Sequence, residues 1–273
     1  MNGPVAGRAV LVLVVLGALL AGSTALAPAT GEPSELATLA YRIAAGVVIS
    51  VVAVGLIAVL VRADGRWTMA DVGLGDVRAG WRLALWGAGL WLVPAAATFG
   101  VLAVLGTPLS VAVPVAELVS TVSLLLLAVL LTEALPEEAV FRGYLTTALG
   151  TTLRGWWVVV VQALLFTLFA AILRQDWNPT DLSLFLTMGI AFGYLRMVTG
   201  TVWMSVGSHT AFQTGAQLVL THDVVDFAGG TAVAMLALGV VPFTVAAIVL
   251  SSTPAARWVP AALRTPGGGQ PVL

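Results

Sequence analysis

Apolar residues run through this chain in blocks of about 20, a length that matches the hydrocarbon core of a bilayer better than it matches a globular helix. Eight such blocks stand out, near 8–27, 37–61, 82–105, 113–135, 155–173, 181–198, 200–220 and 230–252. Each predicts a membrane-spanning helix, and the fourth is expected to continue as a helix past 145. The connections are short except 62–82, which carries Arg62, Arg66, Arg78 and Arg82 with Asp64, Asp71 and Asp76. The pattern therefore predicts an all-α polytopic bundle of about eight transmembrane helices, forming a single membrane domain over 1–252. Residues 253–273 are rich in Pro and Gly and are expected to be disordered. The first block has a second reading. Arg8, the apolar run and the small residues Thr24-Ala25-Leu26-Ala27 also fit a cleaved signal peptide over 1–27. An apolar run of about 18 residues at the head of a membrane-embedded chain is more simply an uncleaved first span.

Composition agrees with the pattern and narrows the chemistry. Of 273 residues, 59% are hydrophobic and only 9% are charged, where a soluble domain carries roughly a quarter. A net charge of -1 leaves no basic footprint for nucleic acid. Cysteine is absent, which excludes disulfides, thiolate metal sites and thiol nucleophiles. All twelve basic residues are arginine, and their distribution predicts orientation. With the N-terminus cytoplasmic, the inner segments hold Arg8, the four arginines of 62–82, Arg154, Arg196, Arg257 and Arg264. The outer segments hold only Arg42 and Arg174, with Glu32, Glu35, Asp176, Asp223 and Asp226. Both termini are expected to be cytoplasmic.

Ionisable side chains within spans are costly, and each is a functional hypothesis by default. They concentrate in Glu133-Ala-Leu-Pro136-Glu137-Glu138-Ala-Val-Phe141-Arg142. Glu133 and Glu137 share a helix face, and Glu138 lies about 100° round. Glu138 and Arg142 have the favourable i,i+4 order, so they are expected to pair. Glu137 and Glu133 are left without an evident local counter-ion, an environment that suits a general base or acid. Pro136 has no N–H for the Thr132 carbonyl, so the helix should kink or open just before the cluster. A charged helix end snorkelling into the interface is the plain alternative. His209 and Gln213 lie one turn apart in the seventh block and could hold a water and a developing oxyanion. A histidine in a membrane helix also serves simply as a hydrogen-bonded packing residue. Gly207, Ala211 and Gly215, and separately Gly189 and Gly193, read as close-packing stripes. His222 with Asp223 and Asp226 reads as a solvated outer loop rather than a metal site. No zinc-type ligand set is present, so no cofactor or metal is evident.

These residues resemble the motifs of the CPBP family, which includes type II CAAX prenyl proteases and bacteriocin-immunity proteins. The family's Glu-Glu-x-x-x-Arg motif stands here as Glu137-Glu138-Ala-Val-Phe141-Arg142-Gly143. Its His-x-x-x-Asn motif stands as His209 to Gln213, with Gln for Asn. Its Phe-x-x-x-His motif is best matched by Phe166-Thr-Leu-Phe-Ala170, with Ala170 where the histidine belongs. The resemblance covers roughly 113–220. It implies an endopeptidase that hydrolyses peptide bonds of membrane-associated substrates. Glu137 would activate water, Glu138 and Arg142 would form a structural pair, and His209 and Gln213 would stabilise the oxyanion. It also implies a multi-pass protein of a bacterial plasma membrane, with the lipid bilayer and a peptide, protein or partner helix as its partners. Two other readings stay open: a catalytically silent family member acting in binding or immunity, and a small transporter or proton relay using Glu133, Glu137 and His209.

Overall fold

The computed structural model describes residues 3–27, 32–75, 77–222 and 224–252; the tail expected to be disordered over 253–273 lies outside them. Eight long helical runs make an all-α bundle: α1 (Gly3–Ala25), α2 (Leu36–Asp64), α3 (Val77–Val104), α4 (Val115–Leu149), α5 (Trp156–Arg174), α6 (Pro179–Thr199), α7 (Trp203–Leu220) and α8 (Gly230–Leu250). Seven of them are long and apolar enough to cross a membrane; α7 is the exception. That helix carries Ser205, Ser208, His209, Gln213 and Gln217, so its polar load lowers its hydropathy, and Ser205 and His209 are almost wholly enclosed. Many large apolar side chains on the other helices face outward, among them Val51, Val93, Trp157 and Ile172. Outward apolar surface on helices of this length implies a lipid bilayer around an integral, multi-pass protein.

Helix contacts follow the small residues. A Cβ on Gly207 would collide with the Ala84 carbonyl oxygen, and one on Gly87 with the Met204 carbonyl oxygen. Thus α3 and α7 cross backbone to backbone, as glycine alone allows. Gly215 continues the stripe against the Trp91 ring. Gly189 and Gly193 do the same between α6 and α5, where a Cβ at Gly189 would stand 2.8 Å from the Ala163 Cβ.

The fourth helix opens where Pro136 predicts it. It stays continuous but widens into π-helical turns over Leu130–Ala134 and again over Glu138–Leu145. The Leu135 N–H reaches the Leu130 carbonyl, which deprives Leu131 of its α-helical donor. Ser50 of α2 supplies a replacement, its hydroxyl donating to the Leu131 carbonyl at 2.6 Å. Widened turns leave a carbonyl to satisfy in α8 too, where the Trp91 indole N–H donates to Leu238 O at 2.9 Å.

Two short strands were not foreseen. β1 (Leu109–Val111) and β2 (Val225–Phe227) pair antiparallel, with Ser110 opposite Asp226. They join the α3–α4 link to the α7–α8 link. This ribbon corrects the expectation for His222. The chain folds back over the end of α7, and His222 is 3% exposed rather than solvated, with its Nδ1 3.0 Å from the Gln217 carbonyl. At the other end of the bundle the 62–82 connection tucks inward, burying Val72 and Leu74. Asp71 accepts from the Thr68 N–H and hydroxyl, both at 2.7 Å, which holds its carboxyl below the usual carboxylate range.

Candidate active site

Helices α4 and α7 run antiparallel, so moving one turn back along α4 meets one turn forward along α7. The polar residues of the two helices pair on that ladder. At the first rung, Glu138 and Arg142 are both fully buried, with Arg142 Nη1 donating to Glu138 Oε1 at 2.9 Å. The guanidinium lies 4.3 Å from the Phe166 ring centroid and 5.3 Å from that of Phe192. These aromatic faces take up part of the cost of burying a cation. Arg196 of α6 donates Nε to the Arg142 carbonyl at 3.0 Å and Nη2 to the Asp71 carbonyl at 2.9 Å, tying the inward-tucked loop to the cluster.

His209, 1% exposed, stacks on Phe192 and turns Nδ1 to within 2.9 Å of Glu138 Oε1. An ionised carboxylate only accepts, so Nδ1 carries the proton of that bond. Nε2 is the nitrogen left for chemistry, and it faces Glu137 Oε2 at 3.9 Å. That gap is too long for a direct hydrogen bond, yet a water about 2.8 Å from each atom can span it. The Glu137 side chain keeps 15% of its surface exposed, in contrast to enclosed Glu138.

At the next rung, Gln213 Nε2 donates to Glu133 Oε2 at 3.0 Å. Glu133 has a counter-ion after all. Arg42 Nη2 reaches its Oε1 at 3.1 Å, and Gln217 Nε2 donates to the same oxygen at 3.1 Å. Arg42 also donates to Gln217 Oε1 at 3.0 Å, which closes a ring of three side chains. The expectation of an unpaired Glu133 fails because Arg42 belongs to the second turn of α2, not to an outer loop. One turn on, Gly46 lets α2 approach so closely that a Cβ there would stand 2.8 Å from the Leu131 Cβ. Arg42 and Gln217 were missed by sequence reasoning. The signal available was the i, i+4, i+8 stripe His209, Gln213, Gln217, which extends the pair by one rung.

The second-motif residues lie on α5. Phe166 is 2% exposed, packs on Arg142 and meets Phe141 at 5.1 Å between centroids. Ala170 is 6% exposed, one turn on and on the same face. By antiparallel phase it falls near the level of Glu138, and its methyl group brings no donor or acceptor. Among the described residues, no three His, Asp or Glu side chains gather as a metal-binding group.

Residues 119–215 match the family model described as type II CAAX prenyl endopeptidase Rce1-like. That stretch is about a third of the chain, and it carries the Glu137, Glu138, Arg142 and His209 motifs that resemble the CPBP family. No curated protein and no solved structure matches the chain. The matched stretch contains both Glu133 and Gln213, together with the whole Glu138–Arg142–His209 rung. Arg42 and Gln217 lie outside it, so the ring around Glu133 is built partly from sequence beyond the family match.

Proposed function

We propose that this chain is a CPBP-type intramembrane endopeptidase that cleaves peptide bonds of membrane-associated substrates through a water activated by Glu137. The observation carrying this reading is the Glu137 carboxylate facing His209 Nε2 at 3.9 Å, with the opposite ring nitrogen held by Glu138. In the reaction Glu137 takes a proton from water as the hydroxide attacks the substrate carbonyl carbon. The resulting oxyanion accepts from the His209 Nε2–H of an imidazolium and from the Gln213 amide. Glu138, paired with Arg142, holds that imidazolium through Nδ1. Glu137 then passes its proton to the leaving amine, which breaks the C–N bond and restores the carboxylate. The arginine distribution supports an orientation with the cluster toward the cytoplasmic side of the membrane. The family match supports a prenylated C-terminal peptide as the first substrate to try.

One observation favours a second reading, a catalytically silent binding or immunity protein. Ala170 supplies no imidazole where the family motif has one, so one group fewer is available to orient the water. The relay reading loses ground, because the Glu133 carboxylate is already engaged by Arg42 at 3.1 Å and by the amides of Gln213 and Gln217.

A cleavage assay in proteoliposomes separates these readings. Its probes are a farnesylated CAAX peptide, the same peptide without the farnesyl group, and an unmodified apolar transmembrane peptide. The expected result is cleavage of at least one probe by the wild type, and loss of about 10²-fold or more in Glu137→Gln with the fold intact. Ala170→His is expected to raise the rate. If wild type and Ala170→His are both inert toward all three probes, the hydrolytic reading is abandoned for the binding one.

A further inference from the structure

We infer that Glu133 is a positioning residue for Gln213: held by Arg42 and Gln217, it fixes the Gln213 amide so that one N–H is bound internally and the other is presented to the substrate oxyanion. The inference rests on the hydrolytic reading and adds Glu133, Arg42 and Gln217, which the family motifs do not include.

Donor and acceptor types set how each of these side chains must face its neighbour. Arg42 offers only donors, and its Nη2 lies 3.1 Å from Glu133 Oε1, so the carboxylate is the acceptor of that contact. An amide next to such an oxygen must turn its nitrogen toward it, which settles the orientation of Gln213 at Glu133 Oε2, 3.0 Å away. The same logic orients Gln217, whose oxygen accepts from Arg42 at 3.0 Å while its nitrogen donates to Glu133 at 3.1 Å. Both Glu133 oxygens and both polar atoms of the Gln217 amide are thereby held by a neighbour on another helix, with α2, α4 and α7 each contributing. Gln213 itself spends one of its two amide protons, and the second is free for a ligand one turn from His209 Nε2.

The ring also accounts for the side-chain length at position 213. The family motif ends in Asn, and a Gln is longer by one methylene and has one more rotatable bond. Left loose, that extra freedom would blur a donor that oxyanion catalysis needs in a fixed place. The longer arm reaches Glu133 across the interface, and the bond formed there removes the freedom that the methylene adds. Position 213 and the Arg42–Glu133 pair therefore work as a set. The π-helical turn over Leu130–Ala134 supports the arrangement, since it contains Glu133 and is itself secured by Ser50 of α2.

The test is a double-mutant cycle on the full-length protein in proteoliposomes, using whichever of the three probes the wild type cleaves. Gln213→Ala is expected to lower kcat by about 10²-fold, the usual loss for one oxyanion donor, with KM little changed. Glu133→Ala is expected to lower kcat by about tenfold with KM again unchanged, and the double variant to be no slower than Gln213→Ala alone. Should Glu133→Ala fail to fold because it strands Arg42, Arg42→Leu with Glu133→Leu removes both charges and takes its place in the cycle. Multiplicative losses in the double variant would show that the two residues act separately and would overturn the inference while leaving the hydrolytic reading in place. So would a Glu133 variant whose thermal melting falls while kcat holds. An inert wild type overturns both.

Discussion

At the scale of single residues the cluster divides by what holds each charge. Glu138 and Arg142 are completely enclosed and satisfy one another, with His209 and two aromatic faces completing the shell. Removing one member strands the other in a medium of low dielectric. Arg142→Ala is therefore expected to destabilise the bundle by about 3–5 kcal/mol, whereas replacing both residues with leucine costs less. Reversible unfolding in mixed detergent would measure both variants, and a smaller loss in the single variant than in the double would contradict the enclosed-pair account. This pair was legible in the sequence because its partners lie four apart on one helix. The Arg42–Glu133 contact was not, since 91 residues separate the two and only the packing of α2 on α4 brings them together. Gln217 had a periodic signal, but an amide three residues before a helix end carries little meaning until its partner is known.

Among the helices, contact is governed by where side chains are missing. The α3–α7 crossing has no room for a Cβ at Gly87 or Gly207. Gly207→Val is expected to push α7 away from α3, lowering the melting temperature and displacing His209 two residues on. Thermal melting monitored by size-exclusion chromatography in detergent would read this, and a variant as stable as the wild type would refute backbone-to-backbone packing. The stripe Gly207, Ala211, Gly215 was readable as a packing face, although its partner helix was not. Pro136 likewise announced an opening in α4. Its form, a widened turn rather than a break, depended on Ser50 from another helix capping the released carbonyl. The β-ribbon went unread because three-residue strands leave no periodic trace.

For the molecule as a whole, the apolar runs locate the eight helices, and seven of them are long and apolar enough to present a spanning surface to lipid. α7 sits at the margin of that rule, its polar side chains being tolerated inside the bundle. The absence of cysteine turns orientation into a direct measurement. A single cysteine at Thr68, in the connection after α2, and another at Ser110, in β1, are expected to lie on opposite membrane faces. With the arginine-rich connection inside, an impermeant maleimide added to intact cells should label Ser110→Cys and spare Thr68→Cys until the cells are opened. The reverse pattern would invert the cluster relative to the membrane.

The ribbon of β1 and β2 also bears on how the chain is made. Ser110 and Asp226 are 116 residues apart, so a growing chain cannot pair them until seven helices have left the ribosome. The ring at Glu133 waits similarly, because Gln217 follows Arg42 by 175 residues. Until α7 emerges, Glu138 and Arg142 can satisfy each other but His209 is not yet present. Biosynthesis thus passes through a stage in which the structural pair exists and the cluster that would do chemistry does not. On the hydrolytic reading, an incomplete chain in the membrane is thereby kept from acting before its fold has closed.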